Sequence, residues 1–250
     1  MTAHLLNGDS LPAVDGISFA QDGGVLTARL DSPQGNLMSM AMCDALTEAL
    51  SAPPAGAHIM VITGGGDEFC MGRERTAATP EDLPGEVRRL VAVNEALAAT
   101  PLVTVARVHG DAAGFGVGIA ALCDVAIASR SARLHFPEVR INLAPALVLA
   151  WLPRVVGRRA AFWLTASGAE VAGDEAVRIG LLNEVTEDID ALDEAVDRTV
   201  AALSSGLPRV HTEIKAMLRS VESLSPQQSY ELASDRLVLG SLRRHSQPTP

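Results

Sequence analysis

Two glycine-containing loops and one glutamate are the parts of this chain best suited to carry out a reaction. The loops lie in IMVITGGGDEFCMGRERTA (residues 59–77) and VTVARVHGDAAGFGVGIAAL (residues 103–122), and each follows an apolar run typical of a buried strand. The first N–H groups of a helix have no acceptor within the helix and carry partial positive charge. Two such donors from separate loops would stabilise negative charge on a carbonyl oxygen by roughly 3 kcal/mol each.

These residues also have simpler interpretations. Each loop taken alone is typical of a tight turn between a strand and a helix, and Glu138 taken alone is typical of a carboxylate at a strand end. A dinucleotide site is a further alternative, because Glu138 lies about 20 residues beyond Gly118. Against it, the glycines form GxGxG rather than GxGxxG, and the loop lies in mid-chain, whereas the nucleotide fingerprint opens the first βαβ unit.

Strand-like and helix-like segments alternate along the first two thirds of the chain, and helices dominate the last third. Residues 17–30 predict a hairpin that turns at Gly23-Gly24. The other predicted elements are a helix over 38–50, a strand over 58–64, a helix over 84–99, strands over 102–110, 125–129 and 132–136, and helices from Pro145 onwards. This order indicates an α/β or α+β core with a helical C-terminal part. Trp151 and Trp163 have apolar neighbours and are expected in the core.

Composition narrows the class of protein. Of the 250 residues, 48% are hydrophobic, 20% are charged and 3% are aromatic, so we expect one compact domain, or one with an appendage, around an aliphatic core. The net charge of −10 argues against nucleic acid or an anionic membrane as a partner. No run approaches the ~18 apolar residues of a membrane span, and the first residues do not resemble a signal peptide. The three cysteines form no CxxC or Cys/His cluster, which predicts reduced thiols, no metal site and a cytoplasmic location.

Five segments, taken in order, resemble the crotonase superfamily, which includes the enoyl-CoA hydratases and isomerases. They extend over residues 17–242 and are RLDSPQGNLMSMAM, GGGDEFCMGRE, VHGDAAGFGVGIAALCDVAIAS, ARLHFPEVRINLAP, and the helical pair WLPRVVGRRAA and AEVAGDEAVRIGLLNEV. The resemblance implies an α/β (α+β) fold, with a crotonase-type spiral of ββα units and an acyl-CoA site over residues 1–190. It also implies a helical trimerisation region over residues 191–250, and hence a homotrimer or a dimer of trimers.

The resemblance assigns roles to individual residues. The backbone N–H groups of Arg73 and Phe115 would form an oxyanion hole, and Glu138 would be the catalytic acid and base. The residues expected to contact substrate are Gln34, Leu37, Met71, Gly72, Glu74, Gly114, Gly118 and His135. The substrate would be an acyl-CoA thioester of fatty acid metabolism. Coenzyme A would be part of that substrate, and no cofactor would be bound permanently.

One of the two catalytic glutamates of the family's hydratases has no counterpart in this sequence. Family hydratases use two glutamates to activate water, and the second matches Glu138, but the first falls on Gly118. The additional acid of the family's dienoyl-CoA isomerases falls near Ala146. A pair of acids is therefore not visible in the sequence.

A single glutamate is enough to move a proton from C2 to C4 of a 3-enoyl thioester, as the resemblance to the family's Δ3,Δ2-enoyl-CoA isomerases implies. We therefore expect double-bond isomerisation. The alternatives are hydration at an atypical site and a catalytically silent acyl-CoA-binding protein. The glutamate would need apolar surroundings, which we expect from Phe136, Val139, Ile141 and Leu143.

Overall fold

The computed structural model describes Leu11 and residues 13–245, so most of the N-terminal segment on which we based the absence of a signal peptide lies outside the described residues. The chain divides into two compact units, of which the first ends at Ser205 and the second begins at Gly206. Within the described residues, no helix is both long and apolar enough to cross a membrane.

The first unit contains two β-sheets. Its strands are β1 (Ile17–Asp22), β2 (Val25–Leu30), β3 (Ile59–Gly64), β4 (Val103–Val108), β5 (Ala112–Ala113), β6 (Val125–Ser129), β7 (Arg133–His135), β8 (Val171–Ala172) and β9 (Glu184–Thr186). The larger sheet has the order β1-β2-β3-β4-β6-β9, and all its pairs are parallel except β1–β2. The smaller sheet has the order β5-β7-β8 and lies beside the second glycine loop.

Helices follow most of these strands. They are α1 (Met40–Ser51), α2 (Leu83–Ala99), α3 (Phe115–Ala121), α4 (Ala146–Leu149), α5 (Leu152–Ser167), α6 (Gly173–Arg178) and α7 (Ile189–Ser204) in the first unit, and α8 (Pro208–Val221) and α9 (Pro226–His245) in the second. A 3₁₀ helix covers Pro137–Ile141. Gly157 has non-helical backbone angles and interrupts α5.

The sequence patterns account for the main elements. Every residue of β3 is buried, as expected of an interior parallel strand that is covered on both faces. The predicted hairpin is confirmed, because Asp22 pairs with Val25 across Gly23-Gly24. Helix α1 begins after Ser39, whose hydroxyl accepts a hydrogen bond from the Met42 N–H, as an N-cap residue does.

Both faces of the larger sheet are covered. One face carries a core that includes Leu26, Met60 and Ile62 together with residues of α1, α2 and α3. The other face packs Ile59, Val105 and Ile127 against residues of α7. Helix α7 therefore belongs to the first unit. The sequence analysis had placed the boundary between the spiral core and the C-terminal helical region near residue 190, at the start of this helix.

The second unit consists of α8 and α9, which pack against each other. Large apolar side chains on both helices are exposed, such as Leu218 at 62%, Tyr230 at 78% and Leu237 at 73%.

One prediction for the first unit is wrong. Trp163 is 65% exposed on α5 because it lies on the face of that helix that turns away from the core, while Trp151 is buried as expected.

Candidate active site

A cavity of about 460 Å³ opens between the two glycine loops. Its wall comes from Met71, Gly72, Arg73 and Arg75 of the first loop, Val87, Leu90 and Asn94 of α2, Gly114, Phe115 and Gly118 of the second loop and α3, Pro137 and Glu138 of the 3₁₀ helix, and Leu143, Ala144, Pro145, Ala146, Leu147, Val148 and Trp151 after it. The wall thus contains all three residues that the sequence analysis assigned to catalysis.

The hydrogen bonds of the two neighbouring residues leave the N–H group of Arg73 without an acceptor among the described residues. The Met38 N–H donates to the Gly72 carbonyl, and the Glu74 N–H donates to the Met38 carbonyl, both at 3.0 Å. In such a parallel bridge the central residue, Arg73, directs its own N–H away from the partner strand. No backbone or side-chain acceptor among the described residues receives this N–H, and Arg73 lines the cavity.

The N–H group of Phe115 has a similar environment. The Gly114 N–H donates to the His135 carbonyl at 2.9 Å, and α3 begins with the next residue. Gly114 has φ +50°, a left-handed conformation that favours glycine, and this turn places Phe115 at the first position of the helix. Within the described part of the chain the Phe115 N–H has no acceptor, as is usual at a helix N-terminus.

The two loops are in direct contact. The Ala113 N–H donates to the Cys70 carbonyl at 3.0 Å. A Cβ atom added to Gly116 would lie 2.0 Å from the same carbonyl oxygen, so only glycine allows α3 to approach the first loop this closely. Burial raises the pKa of the Cys70 thiol to about 12, so this cysteine stays protonated and is not a nucleophile.

Glu138 lies in the first turn of the 3₁₀ helix, with its carboxylate against the second loop. Its Oε1 atom is 3.0 Å from the position that a Cβ atom on Gly114 would occupy. Its Oε2 atom is buried and has no hydrogen-bond partner among the described residues. Glu138 is also the one carboxylate in the described cavity wall. A buried carboxylate oxygen in the cavity wall that has no partner among the described residues is suited to take up a proton from a bound ligand.

The apolar surroundings of Glu138 differ in part from the prediction. Phe136 is buried, and its ring meets that of Trp151 edge to face at a centroid distance of 6.4 Å. Leu143 lines the cavity. Val139 and Ile141 are exposed in this chain at 37% and 47%, because the 3₁₀ helix turns them away from the cavity.

Trp151 occupies the space beside Gly118. A Cβ atom on Gly118 would lie 3.5 Å from Cζ2 of this ring, which is ordinary van der Waals contact. A longer acidic side chain at position 118 would therefore meet the tryptophan. The sequence analysis expected Trp151 in the core, and it missed that the same ring closes one side of the cavity.

Two buried polar side chains form hydrogen bonds to the backbone of the first loop. Asn36 accepts a hydrogen bond from the Ser32 N–H and donates to the carbonyls of Gly65 and Glu68, at 2.7–3.0 Å. His109 contacts the Gly66 carbonyl through Nε2 at 3.0 Å, and burial lowers the pKa of this histidine. The ring is therefore neutral at neutral pH, and Nε2 carries its proton, because the carbonyl can only accept.

Glu86 holds the residues that follow the loop. Its buried carboxylate on α2 accepts hydrogen bonds from Arg73 Nη1 at 2.8 Å, from the Thr76 N–H and hydroxyl at 2.8 and 2.7 Å, and from the Ala77 N–H. The Thr76 hydroxyl, the backbone donors and Arg73 together lower the pKa of Glu86. No sequence signal marks this residue, because its partners come together only in the fold.

Four residues that the sequence analysis expected to contact substrate do not line the cavity, namely Gln34, Leu37, Glu74 and His135. Gln34 is exposed, and Leu37 and Glu74 flank the first loop. His135 contributes its carbonyl to the second loop rather than its side chain to the cavity. The residues of α2 in the wall were missed, because nothing in the sequence relates that helix to the loops.

Comparison with known proteins gives consistent results. A family model described as enoyl-CoA hydratase/isomerase matches residues 20–245. The Rhodobacter capsulatus protein named "Probable enoyl-CoA hydratase" is 34% identical over 179 residues, which is 70% of each chain. A Bacillus subtilis protein with the same name is 27% identical and covers 89% of each chain.

Solved structures share the fold. The enoyl-CoA hydratase of Mycobacterium smegmatis superposes with a TM-score of 0.85 at 28% identity, over 91% of each chain. A Thermobifida fusca relative solved in complex with CoA gives a TM-score of 0.81 at 25% identity, over 94% of this chain and 99% of that one. The predicted α/β spiral fold is therefore confirmed for this chain.

Proposed function

The chain belongs to the enoyl-CoA hydratase/isomerase family, and within it we propose that the protein isomerises a 3-enoyl-CoA thioester to the conjugated 2-enoyl-CoA. The observation that carries this proposal is the single carboxylate in the described cavity wall, Glu138, together with the tryptophan ring beside Gly118. Activation of water by two acids would need a second acid, which the described cavity wall does not supply, whereas a proton shuttle requires only one.

The reaction proceeds in two proton transfers. Glu138 takes a proton from C2, and the electrons of that C–H bond form a C1=C2 bond as the thioester carbonyl becomes an enolate. The N–H groups of Arg73 and Phe115 bind this oxygen and stabilise the dienolate, at roughly 3 kcal/mol per donor. The protonated Glu138 then delivers the same proton to C4, which leaves the double bond between C2 and C3.

The cavity wall supports this chemistry. Leu147, Val148 and Trp151 make part of the cavity wall apolar, and a dienolate that is shielded from water is stabilised more strongly by the two N–H donors. Coenzyme A would remain outside the acyl cavity as the carrier part of the substrate. The protein would act as a homotrimer or a dimer of trimers in a reducing compartment such as the cytoplasm, which its two buried free thiols, Cys43 and Cys70, suit.

Hydration of a 2-enoyl-CoA is the second candidate function. It is favoured by the names of the relatives, since the Rhodobacter capsulatus and Bacillus subtilis proteins are both named as hydratases. Hydration would require Glu138 alone to orient and deprotonate the water. A silent acyl-CoA-binding protein would bind the same thioesters without converting them.

Substitution of the glutamate tests the proposal. Glu138→Gln should reduce isomerisation of 3-hexenoyl-CoA by at least about 10³-fold, because no other carboxylate of the described wall replaces the base, while the Kd for CoA esters changes little. Glu48→Gln, an exposed substitution on α1, serves as the matched control. Unchanged isomerisation in Glu138→Gln would refute the proposal, and binding without any conversion by the wild type would support the silent alternative.

A further inference from the structure

Two of the described residues in the cavity wall carry a buried side-chain oxygen that has no hydrogen-bond partner in the described part of the chain. They are Glu138, through Oε2, and Asn94, through Oδ1. The other described side chains with a buried polar atom that lacks a partner do not line the cavity; they are Thr47, through its hydroxyl, and His109, His135 and His211, through Nδ1. The proposed proton transfer explains the free oxygen of Glu138. It does not explain Asn94.

Asn94 lies on an otherwise apolar stripe of α2. Val87, Leu90 and Asn94 are spaced by three and four residues, so they lie on one face of the helix, and all three line the cavity. Other parts of the wall are apolar as well, among them Leu147, Val148 and Trp151. A leucine at position 94 would extend the apolar stripe of α2. The carboxamide costs stability in such a place unless a bound group pairs with it.

We propose that the acyl group of the substrate carries a hydroxyl that hydrogen-bonds to the Asn94 carboxamide, so that Asn94 determines specificity for an oxygenated acyl chain. A hydroxyl both donates and accepts, which matches the acceptor and donor of a carboxamide. The apolar neighbours of Asn94 would contact the methylene groups on either side of the hydroxyl. This inference rests on the proposed function for the identity of the ligand as a CoA thioester.

Binding of saturated esters tests the inference without any reaction. Kd values would be measured by calorimetry for hexanoyl-CoA and for its 4-, 5- and 6-hydroxy derivatives, none of which has a double bond to isomerise. At least one hydroxylated ester should bind about fivefold to tenfold more tightly than hexanoyl-CoA. In Asn94→Leu this ratio should fall to about one or below, since the hydroxylated ester loses a partner and the plain ester gains an apolar contact.

A matched control and two contrary outcomes complete the test. Thr47→Val removes a buried, unpaired hydroxyl outside the cavity and should leave the ratio as in the wild type. Equal binding of all the esters by the wild type, or an equal loss for all of them in Asn94→Leu, would overturn the inference alone. Failure of every CoA ester to bind would overturn the proposed function with it.

Discussion

Glu138 and the two N–H donors place different demands on the sequence. The proposed base must be an acidic side chain, and Glu138 could be proposed for this role from the sequence because a family motif surrounds it. The donors are backbone groups, so arginine and phenylalanine can occupy positions 73 and 115 without loss of the donor. What residues 73 and 115 require is a fixed backbone, which is supplied by the bonds of Met38 to Gly72 and Glu74 and by the left-handed turn at Gly114.

Substitution of Glu86 should weaken this fixed backbone. Glu86→Gln removes the charged acceptor of four hydrogen bonds to Arg73, Thr76 and Ala77, so we expect Tm to fall by about 3–6 °C. The oxyanion donor would lose its position, which should lower kcat for isomerisation more than it raises KM. Thermal unfolding and steady-state kinetics measure both effects, with the exposed substitution Glu81→Gln as the control.

The pH dependence of this effect follows from the lowered pKa of Glu86. A carboxylate with a lowered pKa in the folded state stabilises the fold fully above its ordinary value of 4.5, and the stabilisation is lost as the pH falls towards the lowered value. The difference in Tm between the wild type and Glu86→Gln should therefore shrink below about pH 4.5. A difference that stays constant down to the acid limit of folding would contradict this account of Glu86.

In helix α3, two glycines that are two residues apart, Gly116 and Gly118, serve different purposes. At Gly116 the first loop is so close that a Cβ atom would overlap the Cys70 carbonyl, whereas at Gly118 it would only touch the Trp151 ring. The GxGxG pattern alone does not show which of the two glycines close packing requires. That difference is seen only in the packing of the loops and of Trp151.

A pair of alanine substitutions tests this difference. Gly116→Ala should destabilise the protein by about 3 kcal/mol or more, because the loop and the helix must separate. Gly118→Ala should stabilise it by about 0.5–1 kcal/mol, because alanine favours a helix interior and the contact with Trp151 is unstrained. Denaturant unfolding compares the two, and equal effects of both substitutions would show that the loops are not packed as described.

The elements could be predicted where a local pattern determines them. The hairpin at Gly23-Gly24 and the buried strands β3 and β4 follow from turn residues and apolar runs within a few positions. The role of α2 in the cavity, the exposure of Trp163 and the position of Trp151 could not be predicted, because each depends on packing between elements that are distant in sequence. The same reason explains why Asn94 and Glu86 were missed.

Exposed apolar side chains in each unit suggest that the molecule associates. Phe162 and Trp163 of the first unit are 70% and 65% exposed, and α9 of the second unit exposes Tyr230 and Leu237. Large apolar side chains exposed to this extent are typical of subunit contacts rather than of a free surface.

Because we propose a homotrimer or a dimer of trimers, sedimentation equilibrium should give three or six times the chain mass of 26.1 kDa. Leu237→Asp should shift the mass towards that of one chain, because it places a charge in the proposed contact of the C-terminal helices. A wild-type protein that stays monomeric at micromolar concentration would contradict the proposed trimer.

The identity of the product formed from 3-hexenoyl-CoA decides whether Glu138 acts as a proton shuttle. Mass spectrometry and absorbance distinguish the two reactions, since isomerisation leaves the mass unchanged and creates a conjugated thioester, whereas hydration adds one water. For the wild type we predict a conjugated product of unchanged mass, and for Glu138→Gln no product above background. No conjugated product from 3-hexenoyl-CoA, addition of water to 2-hexenoyl-CoA as the main activity of the wild type, or isomerisation that persists in Glu138→Gln would contradict the proposal.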